Sequence, residues 1–222
     1  MLKNAAAILK RIVSRPGARD AAAPGSDGPH AAVLLSAHPE KGGEDEASRM
    51  AATHLLSGTK AIAKGDTQAA VEALQHAFIL YRRAKDNRRA GLVQKVIGFV
   101  LQREKSRSRV HAALKQAAVL LKIAQLHDEY VSVVLTMARN DAAEFRYQEA
   151  FSLCRQAISH SRAFAFGIGE IEANCLYAEL ELGRGKATEA LKLLDAAESV
   201  QAAAMAPALA ARLSECRQKA TR

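Results

Sequence analysis

The 222-residue chain has no Trp, three Cys, five Pro and only 5% aromatic residues. Strands draw on aromatic and β-branched side chains, so this scarcity, set beside runs of Ala, Leu, Glu, Lys and Arg, excludes an all-β fold and favours helix. The cysteines, Cys154, Cys175 and Cys216, are odd in number and lack C-x-x-C spacing. Neither a disulfide framework nor a zinc knuckle is therefore encoded, and a reducing compartment is expected. No run approaches the roughly 18 consecutive apolar residues of a membrane span, and no continuous apolar signal-peptide core opens the chain. A soluble, cytoplasmic protein is the expectation.

The few prolines are unevenly placed. Pro16, Pro24, Pro29 and Pro39 precede residue 40, and the next is Pro207, so nothing between Glu40 and Ala206 forbids helix. Residues 14–47 also carry Gly17, Gly25, Gly28, Gly42 and Gly43 and read as a flexible leader, too poor in apolar area to offset its ordering entropy. Ahead of it, Leu2, Ala5, Ala6, Leu9, Ile12 and Val13 recur at helical spacing, with Lys3, Lys10 and Arg11 off that stripe. Residues 1–13 thus form a basic amphipathic helix. In a eukaryote it resembles a mitochondrial presequence, which would place the protein in the matrix; in a bacterium it would serve a membrane surface or a partner. A frayed terminus whose charges aid solubility is the plainer reading.

Sliding the chain by 40 residues aligns four columns without a gap: Gly58, Gly98, Ala138, Ala178; Ala70, Val110, Ala150, Ala190; Leu74, Leu114, Cys154, Leu194; and Ala77, Ala117, Ala157, Ala197. The last three columns stand at i, i+4 and i+7 and share one helix face, and the first lies before a turn. A small residue where two helices cross lets their backbones approach. The predicted fold is all-α: a right-handed superhelical solenoid of about four antiparallel hairpins, with repeats near 48–86, 87–126, 127–166 and 167–206. The turns carry Gly65-Asp66, Ser106 to Ser108, and Gly183 with Gly185. The third turn, near Phe145 to Tyr147, lacks Gly. Residues 206–219 read as an amphipathic capping helix, with Leu209, Leu213 and Cys216 on its apolar stripe. An ordinary helical bundle is the competing architecture.

These residues resemble the tetratricopeptide repeat (TPR) family, whose small residue in the first helix and Ala, large apolar residue and Ala in the second are matched by Gly58, Ala70, Leu74 and Ala77. The resemblance spans roughly residues 48–206. It departs in its 40-residue period, against the common 34, and in the column His54, Gln94, Val134, Asn174, which lacks the family's aromatic. Longer repeats of this sort look like those of helical sensor regions in bacterial regulators. The resemblance implies a groove lined by first helices that binds an extended or helical peptide. Carried over by column, its lining is Leu55, Thr59 and Ile62; Lys95, Phe99 and Gln102; Leu135, Arg139 and Ala142; and Cys175, Glu179 and Leu182. Clamping of a C-terminal carboxylate is disfavoured, because only Lys95 and Arg139 stand in the relevant columns.

Net charge is +9, and its location is informative. Residues 1–47 sum to zero, whereas residues 82–122 hold twelve basic side chains against Asp86 and Glu104. Arg82, Arg83, Lys85, Arg88 and Arg89 fall where the first repeat meets the second; Arg103, Lys105, Arg107 and Arg109 fall at the turn within the second. The helix between them sets the groups roughly 20 Å apart. Such density attracts an acidic protein segment, an anionic membrane or nucleic-acid phosphates. Only Tyr81 and Phe99 are near for base stacking, so nucleic acid is disfavoured. A solvated basic edge also accounts for the pattern.

Catalytic signatures are weak. The seven histidines, His30, His38, His54, His76, His111, His127 and His160, show no H-x-x-x-H or H-E-x-x-H spacing, so no metal site is expected. Gly183 to Thr188 has Leu180 where a phosphate loop needs its first Gly. Gly167-Ile168-Gly169 falls at an inter-repeat loop. Glu170, Glu172, Glu179 and Glu181 read as an exposed helix face, and Cys154 as an inert core residue. The expected function is a non-enzymatic adaptor, without cofactor or small-molecule substrate, that binds a protein segment bearing acidic residues in the groove. The alternative is a regulatory or assembly subunit held at an anionic surface through the second repeat and residues 1–13.

Overall fold

The computed structural model describes residues 46–104, 106–200 and 207–221. The predicted helix at 1–13, nearly all of the leader and Lys105 lie outside that range. Nine α-helices and no strand occur among the described residues: α1 (Glu46–Lys64), α2 (Thr67–Arg83), α3 (Asn87–Leu101), α4 (Arg107–Ile123), α5 (His127–Ala143), α6 (Tyr147–Ala163), α7 (Gly167–Gly183), α8 (Ala187–Glu198) and α9 (Pro207–Ala220). A 3-10 turn, Gln102–Glu104, extends α3. No helix among them is long and apolar enough to cross a membrane.

The 40-residue period has a structural origin in its half. Residues in the left-handed backbone region recur at multiples of 20 positions: Gly65, Lys85, Gln125, Phe145, Ala165 and Gly185, with φ between 51° and 79°. Each ends a helix in the same way. The Lys85 N–H donates to Arg82 O at 3.1 Å and the Asp86 N–H to Tyr81 O at 2.9 Å, and the pattern repeats as Phe145 to Ala142 and Arg146 to Asp141. These paired bonds satisfy carbonyls the helix would otherwise leave open. The next residue starts the following helix, so a helix of 17 residues and a three-residue connector make 20. Phe145 therefore supplies, without Gly, the turn that sequence left unpunctuated, and Ala165 does the same one connector later.

The helices fall into two compact units, one ending at Leu126 and the other starting at His127. In the first, α1 pairs with α2, α3 with α4, and α2 with α3. In the second, α5 pairs with α6, α7 with α8, and α6 with α7, while α9 packs on α7 and α8. All four columns are buried in every repeat. A Cβ on Gly98 would stand 2.6 Å from Leu114 Cδ2, and one on Gly58 would stand 3.0 Å from Leu74 Cγ. The small column thus exists because the large residue of the next helix presses on it.

In the second unit, Leu209, Leu213, Cys216 and Ala220 of α9 join Ile171, Cys175, Ala178, Ala190 and Leu194 in one cluster. α9 begins 40 residues after α7 and repeats its phase. Yet Ala211, Glu215 and Gln218, which follow Ile171, Cys175 and Ala178 by one period, are exposed. An inner apolar stripe under a largely polar outer face is what a terminal cover requires.

Candidate functional site

In the first unit the candidate surface is built on α3. Ten further residues of this helix besides Lys95 are buried, which leaves few positions for a ligand. Arg88, Lys95, Phe99 and Gln102 follow one another by seven, four and three residues and form one stripe. Lys95 is buried, with Nζ 5.7 Å from the centroid of the Phe99 ring, so the cation rests against an aromatic ring. Phe99, Gln102 and, on α1, Thr59 are half-buried, and the Thr59 hydroxyl donates to Leu55 O at 2.8 Å. Leu55 itself is fully buried in the core.

Basic side chains gather at both ends of α3. At the N-terminal end, Arg82 donates to Asn87 Oδ1 at 2.5 Å, and Arg83 and Lys85 are exposed. Asp86 caps α3 by accepting from the Arg89 N–H at 2.8 Å, while the Arg89 guanidinium lies 3.5 Å from the same carboxylate and 5.7 Å above the Tyr81 ring. At the other end Arg103, Arg107 and Arg109 are exposed, and Ser106, the residue before α4, makes no side-chain cap. Arg82 and Arg83 suit the negative end of α2. Arg88 and Arg89 in the first turn of α3, and Arg107 and Arg109 in that of α4, oppose the helix dipole at about 0.3–1 kcal/mol each.

The second unit treats its candidates differently. Leu135 and Cys175, of the same column as Leu55 and Lys95, are buried. Glu179 accepts two bonds from Arg212 of α9, at 2.5 and 2.6 Å, and Cys216 Sγ donates to its Oε1 at 3.5 Å. The bond to Glu179 is the main cause raising the Arg212 pKa. Arg139 is exposed by surface area and makes no hydrogen bond or ion pair among the described residues. Crowding by its neighbours, then the like charge of Arg212, holds its pKa below the usual arginine value, against the pull of Glu172 and Glu179. A cleft of about 600 Å³ runs between α7 and α9, lined by Glu179, Leu182, Arg212, Cys216 and Lys219 among others. Arg212, outside every groove column, is the residue sequence reasoning missed; a basic residue on the polar side of a capping helix was its only signal.

Other expectations change in detail. Glu170 pairs with Arg162 at 2.6 Å, and Glu181 is buried beside Arg184 at 3.3 Å, so these carboxylates with Glu179 form ion pairs rather than a merely solvated face. Gly167 and Gly169 belong to α7 rather than to a loop. His127 and His160, far apart in sequence, bring Nδ1 and Nε2 to 3.1 Å, and His127 stacks on Phe164 with centroids 3.7 Å apart. No group of three or more His, Cys, Asp or Glu among the described residues is arranged to hold a metal. Burial pushes the Cys154 and Cys175 thiols up to about 12 and Cys216 to about 11, so none is a ready nucleophile at neutral pH.

Hairpins repeated in fixed phase, with small residues at each crossing, define a TPR-like helical-repeat protein, a class that generally mediates protein–protein interaction. The family model of the soluble NSF attachment proteins (SNAP) matches residues 37–164, more than half of the chain. The chain belongs to that family. Among solved structures it is similar to a kinesin light chain of Podosopora anserina with nearly identical TPR-like repeats and to a single-substitution variant of that protein. Each is 18% identical over 79% of this chain and 88% of that one, with TM-scores of 0.55 and 0.57. These neighbours show the fold alone. No curated protein matches.

Proposed function

We propose that this chain is a non-enzymatic adaptor that docks an acidic segment of a protein partner along α3 of the first unit. The observation that carries this reading is the excess of basic side chains at both ends of α3, five from Arg82 to Arg89 and four from Arg103 to Arg109 against Asp86 and Glu104, flanking the Lys95–Phe99 floor. Arg88, Arg89, Arg107 and Arg109 stand in the first turns of helices, where added negative charge is favourable, so an acidic partner suits these ends. The family's name describes attachment of a protein, NSF, and a protein-attachment role is carried over from it.

The test is fluorescence anisotropy of a labelled peptide rich in Glu and Leu, titrated at several ionic strengths. Arg103→Glu with Arg107→Glu should weaken binding at least tenfold, and Lys95→Glu should weaken it less. Unchanged affinity in all of them rules the surface out. A second reading rests on the same charge: attachment to an anionic membrane. Binding to phosphatidylserine vesicles that collapses at high salt, with no binding of the peptide, would favour it.

A further inference from the structure

The two basic groups of the first unit are joined by one rigid element. Arg82, Arg83 and Lys85 stand at the N-terminal end of α3, and Arg103 and Arg107 at its C-terminal end. Arg88 to Arg103 is 15 residues, or about 22 Å of helix at 1.5 Å each. Along that length the α3 stripe presents Lys95, Phe99 and Gln102, which include no exposed cation. The charge available to a ligand is therefore bipartite, with an aromatic surface between its halves.

Resting on the docking role above, we propose that the partner segment is itself bipartite: two acidic clusters separated by an apolar, extended spacer of about 22 Å, running along α3 with its middle on Phe99. An extended chain covers that distance in about seven residues at 3.3 Å each. A single acidic block engages one end only. A spacer that is too short cannot reach the second end, and one that is too long loses effective concentration there. Each acidic cluster brings opposite charge to a group of like charges.

The test uses the full chain and labelled peptides in which two blocks of three glutamates are joined by a run of about 2, 7 or 14 prolines, because polyproline is a stiff ruler of about 3.1 Å per residue. Anisotropy titration at low salt is expected to give affinity about tenfold higher for the middle spacer than for the other two. Either end-reversal variant, Arg82→Glu with Arg83→Glu or Arg103→Glu with Arg107→Glu, should bring the middle-spacer peptide to the affinity of a single triglutamate block and erase the dependence on spacer length. Phe99→Ala should weaken the middle-spacer peptide and leave the single block unchanged. Salt-sensitive binding with equal affinity at every spacer length in the unaltered chain overturns the bipartite partner while leaving the docking role standing. Failure of all the peptides to bind at low salt overturns both.

Discussion

Helices of the two units start in opposite ways. In the first unit, Asp66 and Asp86 precede α2 and α3 and cap them through their side chains, and no acid occupies the first turn of α2, α3 or α4. In the second, α5, α6, α7 and α8 carry Asp128 with Glu129, Glu149, Glu170 and Glu189 in their first turns, while Arg146, Phe166 and Lys186 precede α6, α7 and α8 without a side-chain cap. Both arrangements place negative charge at the positive end of a helix, by one good hydrogen bond or by a nearby carboxylate. The consequences differ. Acids inside the helices balance the second unit, with eleven basic residues against thirteen acidic ones over residues 123–222, and pair there, as Arg217 does with Asp195 and Glu198. The first unit places one acid, Glu46, in a first turn and otherwise relies on caps, and it stays basic. The same fold thus carries one unit near charge balance and another with a large basic excess.

The contrast can be broken or sharpened in steps. The largest effect is expected at the shared core, where the units should behave alike. Leu114→Ala should cost about 3 kcal/mol by urea denaturation, and Gly98→Ala about 1–2 kcal/mol from its contact with Leu114. The double variant should be more stable than the sum of the two, because the shortened residue makes room for the new methyl; strict additivity would show that the two positions do not press on each other.

Next is a pH dependence confined to the second unit, which holds all three cysteines. Their thiols ionise near 9 when exposed and near 11–12 when buried. Above pH 9 the unfolded chain therefore binds fewer protons than the folded one, and the stability these thiols contribute, full below pH 9, falls as pH rises from 9 to 12. Cys154→Ala should flatten that slope relative to the unaltered protein; an unchanged slope would contradict the burial.

The smallest effect lies at the helix starts. Ser106→Asp should stabilise the first unit by about 1 kcal/mol, because α4 begins with Arg107 and Arg109 and no side-chain cap. The same change at Lys186 should gain less, since Glu189 already stands in the first turn of α8. Equal gains at both would mean that the two schemes are not electrostatic equivalents.

Much of the architecture was legible because its signal is periodic. Gly58, Gly98, Ala138 and Ala178 stand out at a spacing of 40, and burial at all of them follows from the crossing of paired helices. The candidate surface was less legible. Column arithmetic put Leu55, Lys95, Leu135 and Cys175 in one groove column, and all four are buried. Periodicity reports that positions are equivalent, not which side of a helix remains open. The turn near Phe145 to Tyr147 was placed by the period alone, since a left-handed residue is usually Gly, and here the paired hydrogen bonds of the helix end hold a phenylalanine in that conformation instead.

Sequence alone determined the helical class, the phase of the repeats, the small residues at the crossings and the concentration of positive charge in residues 82–122, since each is a property of spacing or composition along one chain. Tertiary structure alone decided that Glu179 belongs to Arg212, that His127 meets His160, that Lys95 is withdrawn onto Phe99, and that Arg139 makes no ion pair among the described residues. These pairings join residues up to 33 positions apart. They depend on how helices are rotated and packed, which no local pattern encodes.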